Sequence, residues 1–333
     1  LALGVGPLDS QRRLWSSSTM SYAVRDFYVN GGSQAIIVRL VNGAQKALIP
    51  LPTAARGAEQ WTLPMAEPAE AAWSPPPPID LSFAAEPGAD EWPDAVSFAP
   101  RHRRLPRGQA VETMPGYREG GWWVQDLAAS LPARLLGDGE GRTVLDLCAA
   151  PGGKTMQLAA AGWNVVAVDS SAKRLERLRA NMERTSLSAD IVQGDIRSWA
   201  PGGEADAVLP DAPCSATGIF RRHPDVLHRI EPRQIAEMAV LQTELLSRAA
   251  RWVKPGGTLI YATCSLEQAE GEDQVSTFLD RHAGWAIDPV RADELPDAIA
   301  ADDKGLIRTL PDMLADAGGL DGFFVARLRA PSG

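Results

Sequence analysis

Apolar and polar residues alternate in two regular ways between residue 125 and the end of the chain. Short apolar runs predict strands at Thr143–Leu147, Asn164–Val168, Ala189–Gln193, Ala205–Leu209, Thr258–Ala262 and Gly322–Arg329. Apolar residues that recur every three or four positions predict helices at Gln125–Leu136, Gly153–Ala161, Lys173–Arg184 and Pro232–Val253. Strands that alternate with helices are typical of an α/β fold with a doubly wound, mostly parallel sheet.

The chain before this region has a different pattern. Residues 1–65 contain short strand and turn signals, including the apolar run Ala35–Leu40. Residues 67–94 include several carboxylates, no Lys or Arg, and four consecutive prolines at Pro75–Pro78, which together predict an extended linker. We therefore expect three parts: a small N-terminal extension at 1–65, a linker and small subdomain at 66–137, and the α/β domain at 138–333.

Composition excludes several classes of protein. The 333 residues carry a formal net charge of -9, with 45% hydrophobic and 23% charged residues, as is ordinary for a globular protein. No apolar run approaches the ~20 residues that a membrane-spanning helix requires. Three cysteines cannot form a disulfide framework, and the first residues lack the pattern of a secretory signal. We therefore expect a cytoplasmic protein that binds no membrane.

A cluster of basic residues follows the acidic linker. One interpretation is a phosphate-binding rim with aromatic residues beside it. The other is a solvated loop in front of a tryptophan pair that packs into the core. The sequence leaves both interpretations open for Arg101, His102, Arg103, Arg104, Arg107, Arg118, Trp122 and Trp123.

The segment after the first strand of the α/β domain is rich in small residues. It reads Asp146-Leu-Cys-Ala-Ala-Pro-Gly-Gly-Lys-Thr155, and small residues let a ligand approach the backbone where the next helix presents free N–H groups. Its end imitates a nucleoside triphosphate loop, but such a loop needs glycine at position 148, which is Cys148. A dinucleotide fingerprint with the spacing G-x-G-x-x-G is absent as well.

Two carboxylates follow the next two strands, at the edge of a parallel sheet where ligands bind. Asp169 has the spacing of a residue that accepts hydrogen bonds from both hydroxyls of a ribose, and Asp195 can receive the exocyclic amine of an adenine. Either residue alone can also be a helix cap or a solvated charge. Together they favour an adenosyl ligand, and S-adenosylmethionine suits a loop whose only basic residue is Lys154.

All three cysteines follow predicted strands. Cys148 is interpreted as an inert, buried thiol. The wide separation of the cysteines and the absence of a C-x-x-C pair disfavour a zinc site, so we expect no metal. Cys214 and Cys264 meet at one edge of the sheet if the strand order is the usual one, with Asp211 nearby. Two thiols and a carboxylate that face a methyl donor indicate covalent chemistry.

These motifs resemble those of the Sun family of RNA (cytosine-5) methyltransferases, in particular its RsmB-type members, which methylate a cytidine of 16S ribosomal RNA. The similarity runs from about Met114 to Arg329 and includes the basic extension Gly218–Asp225. It implies a Rossmann-like S-adenosylmethionine-dependent methyltransferase fold, with an RNA-binding pre-catalytic subdomain in 66–137 and the catalytic domain at 138–333. The implied partner is RNA, either 16S rRNA or a small-subunit precursor, and we expect a monomer.

The resemblance also assigns the residues of the site. It implies that Cys264 is the nucleophile, that Cys214 assists product release and that Asp211 acts beside the base. The implied cofactor-binding residues are Cys148, Ala149, Ala150, Pro151, Gly152, Gly153, Lys154, Asp169, Asp195 and Asp211.

Cytosine chemistry accounts for these needs independently. C5 of cytosine is too weak a nucleophile to take a methyl group, so a thiolate, assigned to Cys264, must first add to C6. Addition is easier when N3 is protonated or strongly hydrogen-bonded, which is a role for Asp211. After methyl transfer H5 leaves and the thiol is eliminated, with help from Cys214. The base must also leave any stack to reach the site.

Two features depart from the family pattern. The family's enzymes begin with an all-helical RNA-binding domain, whereas residues 1–65 lack helical periodicity; Ser21–Ser33 and Ile36–Leu40 instead resemble a piece of a contractile phage tail sheath subunit. Pro210 stands immediately before Asp211 and removes a ladder donor from a central strand, which leaves open whether the Asp211 loop is displaced.

Alternative functions stay open at this point. A cytosine-5 methyltransferase that acts on a tRNA or on a different rRNA site has the same motifs. A DNA cytosine-5 methyltransferase uses the cysteine of its Pro-Cys motif, here Cys214, which the sequence Thr263-Cys264-Ser265 disfavours. A non-catalytic ribosome-binding or virion protein could retain the cofactor fold, although both cysteines and every cofactor carboxylate are kept.

Overall fold

The computed structural model describes residues 77–106, 110–223 and 226–333, together with seven short strands between residues 14 and 52. The chain divides into two compact units, residues 1–74 and residues 75–333. The strands of the first unit form antiparallel pairs. They are β1 (Leu14–Ser17), β2 (Met20–Ala23), β3 (Tyr28–Asn30), β4 (Ser33–Ala35), β5 (Ile37–Arg39), β6 (Gln45–Ala47) and β7 (Leu51–Pro52).

These pieces confirm the prediction of short strands in the first 65 residues. The remainder of that segment and the first part of the predicted linker lie outside the described residues. The resemblance to a tail sheath subunit falls partly on the same undescribed residues and stays a prediction, as do the domain boundaries near residues 65 and 137.

A three-stranded antiparallel sheet, in the order β10-β8-β9, opens the second unit. Leu81, Phe83 and Trp122 pack there into a small apolar core. The predicted linker is therefore wrong from residue 79 onward, because the four consecutive residues 80–83 are buried against later parts of the chain. The strands are β8 (Ile79–Phe83), β9 (His102–Leu105) and β10 (Trp122–Val124).

The basic cluster is largely built into this small sheet. Arg104 donates to both carboxylate oxygens of Asp80, at 2.6 and 2.7 Å, and Arg103 pairs with Glu86 at 3.0 Å. His102, Arg103 and Arg104 are buried. The interpretation of these three residues as a phosphate-binding rim is therefore wrong, because their side chains face the interior and two of the charges are already neutralised there.

The remaining residues of that prediction divide between core and surface. Trp122 and Trp123 are 1% and 2% exposed, which confirms that the tryptophan pair packs into the core. Arg118 is exposed, and Arg107 lies outside the described residues. Arg101 is half-buried, so within the described part of this cluster Arg118 and Arg101 are the side chains that solvent reaches.

The centre of the second unit is one eight-stranded sheet. The order is β13-β12-β11-β14-β15-β18-β16, with β17 paired to β18. The pairs from β13 to β15 are parallel, and β18 runs antiparallel to β15, β16 and β17. The strands are β11 (Thr143–Leu147), β12 (Asn164–Asp169), β13 (Asp190–Gln193), β14 (Ala205–Pro210), β15 (Val253–Thr263), β16 (Ala286–Ile287), β17 (Ile307–Thr309) and β18 (Phe323–Arg329).

This sheet confirms the predicted α/β class and the predicted strands. Buried apolar clusters cover both of its faces, which is why its strands read as nearly continuous apolar runs. β15 begins at Val253, earlier than predicted. Val253 was predicted as the last residue of the preceding helix, but that helix ends at Ala250.

Three of the helices begin at identifiable capping side chains. Asp126 caps α1, Ser171 caps α3, and a capping box of Glu231 and Gln234 starts α5. The helix α6 was not predicted, since its apolar pattern is only ten residues long. The helices are α1 (Leu127–Arg134), α2 (Gly153–Ala160), α3 (Ala172–Thr185), α4 (Val226–Arg229), α5 (Pro232–Ala250) and α6 (Glu272–Arg281).

Two arginines of the basic extension at 218–225 are also buried rather than presented to a ligand. Arg221 donates to Asp126 and, at 2.7 Å, to Asp321. Arg222 pairs with the same two carboxylates, at 2.6 and 3.1 Å. This four-residue ion cluster joins the start of α1, the chain after β14 and the chain before β18. It therefore fixes the loops that surround the carboxyl edge of the sheet.

Within the residues that the structure describes, no helix combines the length and apolar character needed to cross a membrane.

Candidate active site

The loop from β11 to α2 turns sharply at the carboxyl edge of the sheet. Cys148 and Gly152 both have left-handed backbone angles, with φ of 60° and 107°. A Cβ atom at Gly152 lies 3.0 Å from Cγ of Leu178 in α3, so a side chain there is disfavoured by conformation and by space. Ala149 N donates to Val168 O at 3.1 Å, which holds the loop against the end of β12.

Asp169 ends β12 and binds this loop. Its carboxylate is 1% exposed; Oδ2 accepts a hydrogen bond from Ala150 N at 3.2 Å. Oδ1 accepts from Ser171 N and from the Arg174 side chain, each at 2.8 Å. A carboxylate oxygen has two lone pairs, so Oδ2 retains room for one further donor. The residue is placed where the sequence predicts it.

Asp195 lies in the turn after β13, on the more open side of the site. Its side chain is 40% exposed and faces the Arg197 guanidinium at 2.6 Å. The hydrogen bonds from Arg197 hold the pKa of this carboxyl below its usual value. A ligand amine that binds Asp195 therefore competes with Arg197, at a position where water screens the exchange.

Lys154 and Asp211 form an ion pair between the start of α2, which follows β11, and the end of β14. Nζ of Lys154 lies 2.7 Å from Oδ2 of Asp211, and the lysine side chain is only 9% exposed. The ammonium also lies 5.2 Å from the centre of the Phe323 ring. The pair thus places a proton donor and an acceptor at the same edge as the small-residue loop.

Pro210 does not displace the backbone of Asp211. Asp211 N donates to Leu147 O in β11 at 3.1 Å, and Ala212 N donates to Ala262 O in β15 at 2.9 Å. N–H groups of alternate residues in a strand face the same neighbour. The donor that proline lacks is therefore missing from the β14–β15 side, and the pairing of Asp211 with Ala262 is kept.

Cys214 and Cys264 lie side by side, with 3.4 Å between their Sγ atoms. The hydrogen bond to Cys264, together with burial, raises the pKa of Cys214 well above its usual value. The predicted meeting of these thiols is confirmed. Gly218 approaches the same place: its N–H donates to Cys264 O at 3.0 Å, and a Cβ atom on it would lie 1.9 Å from Gly322 O.

Cys148 lies in the loop between β11 and α2. It is half-buried, and burial raises its pKa to about 12. A thiol that stays protonated is a poor nucleophile. The interpretation of Cys148 as chemically inert is in keeping with this environment, while its backbone shapes the loop.

Two buried carboxyl groups were missed in the sequence. Asp146 in β11 is fully buried and accepts from Thr155 Oγ1 at 2.6 Å; burial raises its pKa to about 7. Glu270 is also fully buried, beneath the cysteine loops. Its segment, Glu267-Gln-Ala-Glu-Gly-Glu272, reads as solvated loop. The available signal was that Cys214 and Cys264 are each followed directly by serine.

Comparisons with known proteins agree with this geometry. A family model described as 16S rRNA methyltransferase RsmB/F matches residues 133–329. Ribosomal RNA small subunit methyltransferase B of Shewanella oneidensis is 42% identical over 223 residues, which are 66% of this chain and 50% of that protein. This chain thus spans about half the length of the curated relatives it matches.

Solved structures share the fold. The crystal structure of PH0851 has a TM-score of 0.71 at 29% identity, covering 80% of this chain and 62% of that chain. The structure of NSun6 from Pyrococcus horikoshii has a TM-score of 0.59 at 26% identity, covering 70% of this chain and 58% of that chain. The family match extends from α1 to β18 and includes both cysteine loops. The chain therefore belongs to the RsmB/F family of 16S rRNA methyltransferases.

Proposed function

We propose that this protein methylates C5 of a cytidine in 16S ribosomal RNA, with S-adenosylmethionine as methyl donor. The observation that carries the proposal is the thiol pair at 3.4 Å, which stands two or three residues beyond the bridged positions Asp211 and Ala262. A nucleophilic thiol, a second thiol and a proton-handling pair are what addition to C6 and later elimination require. Membership of the RsmB/F family supports 16S rRNA as the substrate.

The residues present fit S-adenosylmethionine. Asp169 has a spare acceptor position for a ribose hydroxyl, Asp195 is open enough to accept an adenine amine, and Gly152 and Gly153 present backbone without side chains. When bound, this cofactor supplies an electrophilic methyl group. The cofactor-binding set is the one that the resemblance implies, from Cys148 to Lys154 with Asp169, Asp195 and Asp211.

Each catalytic residue has a distinct task in the proposed reaction. Cys264 adds through Sγ to C6 of the cytosine, which makes C5 nucleophilic. Lys154 donates to Asp211, so the pair can hold or deliver a proton beside N3. Cys214 keeps its proton in the resting protein. In the adduct it can give that proton to the Cys264 thiolate as the C6–S bond breaks, and the Cys214 thiolate then takes up H5, whose C–H electron pair restores the C5–C6 double bond.

The DNA-type assignment, with Cys214 as nucleophile, is disfavoured by the same geometry. The attacking species must be a thiolate, and both its hydrogen bond to Cys264 and its burial raise the pKa of Cys214. We also infer that the protein acts as a monomer, because one chain supplies both cysteines and every carboxylate of the site.

The two cysteines should respond oppositely to substitution. Cys264→Ala is expected to abolish methyl transfer and to form no covalent RNA adduct, because the group that activates C5 is gone. Cys214→Ala is expected to allow addition and transfer but to stall elimination, so protein accumulates crosslinked to methylated RNA. The measurement is denaturing electrophoresis after incubation with 16S rRNA and labelled S-adenosylmethionine, with 5-methylcytidine mapped in the product.

The control is Ser276→Ala, at an exposed position on α6, which should methylate RNA without trapping an adduct. An adduct with Cys264→Ala and none with Cys214→Ala reverses the nucleophile assignment. If the protein methylates tRNA but not 16S rRNA, its substrate is another RNA than the one proposed. If both cysteine variants keep full activity, covalent catalysis by these thiols is refuted. No methylation by the unaltered protein on any of these RNAs supports a non-catalytic relative.

A further inference from the structure

Glu270 lies in a 3-10 turn between β15 and α6, directly under both cysteine loops. Its side chain is completely buried. Buried carboxylates are costly unless hydrogen bonds satisfy them. All four donors that reach this carboxylate within the described residues are neutral groups, and three of them belong to the serines that directly follow Cys214 and Cys264.

The Cys214 loop supplies two of the donors. Ser215 N donates to Oε1 of Glu270 at 2.9 Å, and Ser215 Oγ donates to Oε2 at 2.5 Å. Because Ser215 follows Cys214 directly, these two bonds fix the backbone of the cysteine itself. The Cys214 loop therefore cannot move away from Glu270 without breaking both hydrogen bonds.

The Cys264 loop binds the same oxygen. Ser265 Oγ donates to Oε2 of Glu270 at 2.5 Å, and Ser265 follows Cys264 directly. Gln242 in α5 completes the carboxylate, with Nε2 at 3.1 Å from Oε1, and also binds Pro213 O at 2.8 Å. One carboxylate thus joins two loops that are fifty positions apart in the chain.

We propose that Glu270 is a positioning residue: its buried carboxylate binds the Cys214 loop and the Cys264 loop to each other and so holds the two thiols side by side. The inference rests on the proposed function for its consequence in catalysis. The arrangement of thiols that it describes can be tested without RNA or cofactor.

Charge is the second half of the argument. The negative charge of Glu270 contributes to the raised pKa of Cys214, after the hydrogen bond to Cys264 and burial. A protonated Cys214 can donate its S–H to Cys264 across 3.4 Å. The charge of Glu270 therefore adds to the larger effects that keep Cys214 protonated.

Other titratable groups face the same cluster and must be considered. Tyr261 donates to the backbone oxygen of Glu270 at 2.8 Å, and burial raises the pKa of this tyrosine well above its usual value, so it stays neutral. Burial, with the charge of Glu270, raises the pKa of Glu267 to about 7. Arg308 donates to Ser265 O but is neutralised by Glu272 at 2.6 Å.

The test compares Glu270→Gln with the unaltered protein by iodoacetamide alkylation of each cysteine across a pH series, read out by peptide mass spectrometry. The amide keeps the size and can still hydrogen-bond, but it lacks the charge. We expect the pH at which Cys214 is half-reactive to fall, because one of the charges that raise its pKa is gone. Asp280→Asn, which removes an exposed carboxylate on α6, is the matched control and should shift neither thiol.

Methylation assays supply the catalytic readout. Glu270→Gln should lower kcat about tenfold or more while KM for RNA changes little, because misplaced thiols affect the reaction and not RNA binding. A folded Glu270→Gln protein with unaltered alkylation profiles and unaltered kcat overturns the proposal. If the unaltered protein methylates no RNA, the proposed function fails, whereas the alkylation result still decides the role of Glu270.

Two further measurements decide the matter if Glu270→Gln does not fold. In the unaltered protein, Cys214 must resist alkylation up to pH values above the usual range of a thiol, and ready alkylation of Cys214 near neutral pH overturns the proposal. Ser265→Ala removes one donor from the Cys264 loop and keeps the carboxylate. It should lower kcat with the Cys214 profile retained, and an unaltered kcat in that variant contradicts the positioning role.

Discussion

Asp146 shows how a single buried group can make stability depend on pH. Its carboxyl is fully buried, its Oδ1 atom has no hydrogen-bond partner, and burial raises its pKa from 3.8 to about 7. The folded protein therefore holds a proton that the unfolded chain has already released between those two pH values. Stability contributed by this group is complete below the lower value and is lost as pH rises through the higher one.

Asp146→Asn is therefore expected to flatten the decline of stability between pH 3.8 and about 7. The slope of the unfolding free energy should become less negative by up to ~1.4 kcal/mol per pH unit, the equivalent of one proton. Chemical denaturation at several pH values in this window measures it. Glu267 has a pKa raised in the same direction, so part of the decline should remain.

Asp206 provides the control for this measurement. Its hydrogen bond with Lys254 lowers its pKa, so the folded and unfolded chains both carry it ionised over the same window. Asp206→Asn should leave the slope unchanged there and should reduce only the stability that is lost as pH falls further. Equal slopes for Asp146→Asn and the unaltered protein contradict the assignment of the proton to Asp146.

At the scale of the elements, the ion cluster of Arg221, Arg222, Asp126 and Asp321 joins segments that are far apart in the chain. Arg221 has no exposed side-chain area and lies between two carboxylates. Removal of one partner leaves buried charges without compensation, which is more costly than the pair is stabilising. The cluster therefore orders the surroundings of the site more than it adds to stability.

Arg221→Ala should destabilise the protein by about 3–5 kcal/mol, because it leaves Asp126 and Asp321 with Arg222 alone inside the protein. Denaturant unfolding followed by tryptophan fluorescence measures the loss. Arg233→Ala, which breaks an exposed ion pair with Glu237 on α5, is the control and should leave the free energy of unfolding unchanged. A similar effect of the two substitutions is evidence against a structural role for the buried cluster.

The strands and helices from residue 143 onward could be predicted because their apolar runs are buried on both faces of one sheet. The positions of Asp169, Asp211, Cys214 and Cys264 followed from the rule that ligands bind at the carboxyl ends of parallel strands. The roles of Glu270 and of Arg221 could not be predicted. Each depends on partners tens of residues away, and in the sequence each belongs to a run of polar residues that resembles a solvated surface.

The same limit explains the misread basic cluster. The sequence around a charged residue does not show whether an oppositely charged side chain pairs with it in the fold. Asp80, which pairs with Arg104, lies 24 positions before it. Asp80 also accepts from Leu127 N at 2.9 Å, at the beginning of α1. The small sheet is therefore joined to α1, at whose end the family match begins. The prediction of an extended linker did not include this connection.

For the whole molecule, the division into residues 1–74 and 75–333 predicts which part can be removed. Every residue assigned to the site lies in the second unit, and so do the buried cores that support it. A domain with its own core can fold alone when the boundary falls in a segment that few contacts cross. The first unit is therefore expected to be dispensable for the stability of the site.

Deletion of residues 1–65 should leave a single cooperative melt at nearly the same temperature and the same affinity for S-adenosylmethionine, since β8 and everything after it is kept. Calorimetry and isothermal titration measure both quantities. Deletion of residues 1–84 is the matched control: it removes β8 and with it Asp80, the carboxylate that Arg104 and the N-terminus of α1 share. That protein should lose stability sharply, because Arg104 is left buried without its partner. If the protein without residues 1–65 has no cooperative melt, those residues are part of the catalytic unit. If the protein without residues 1–84 melts as the full chain does, the small sheet does not contribute to the stability of that unit.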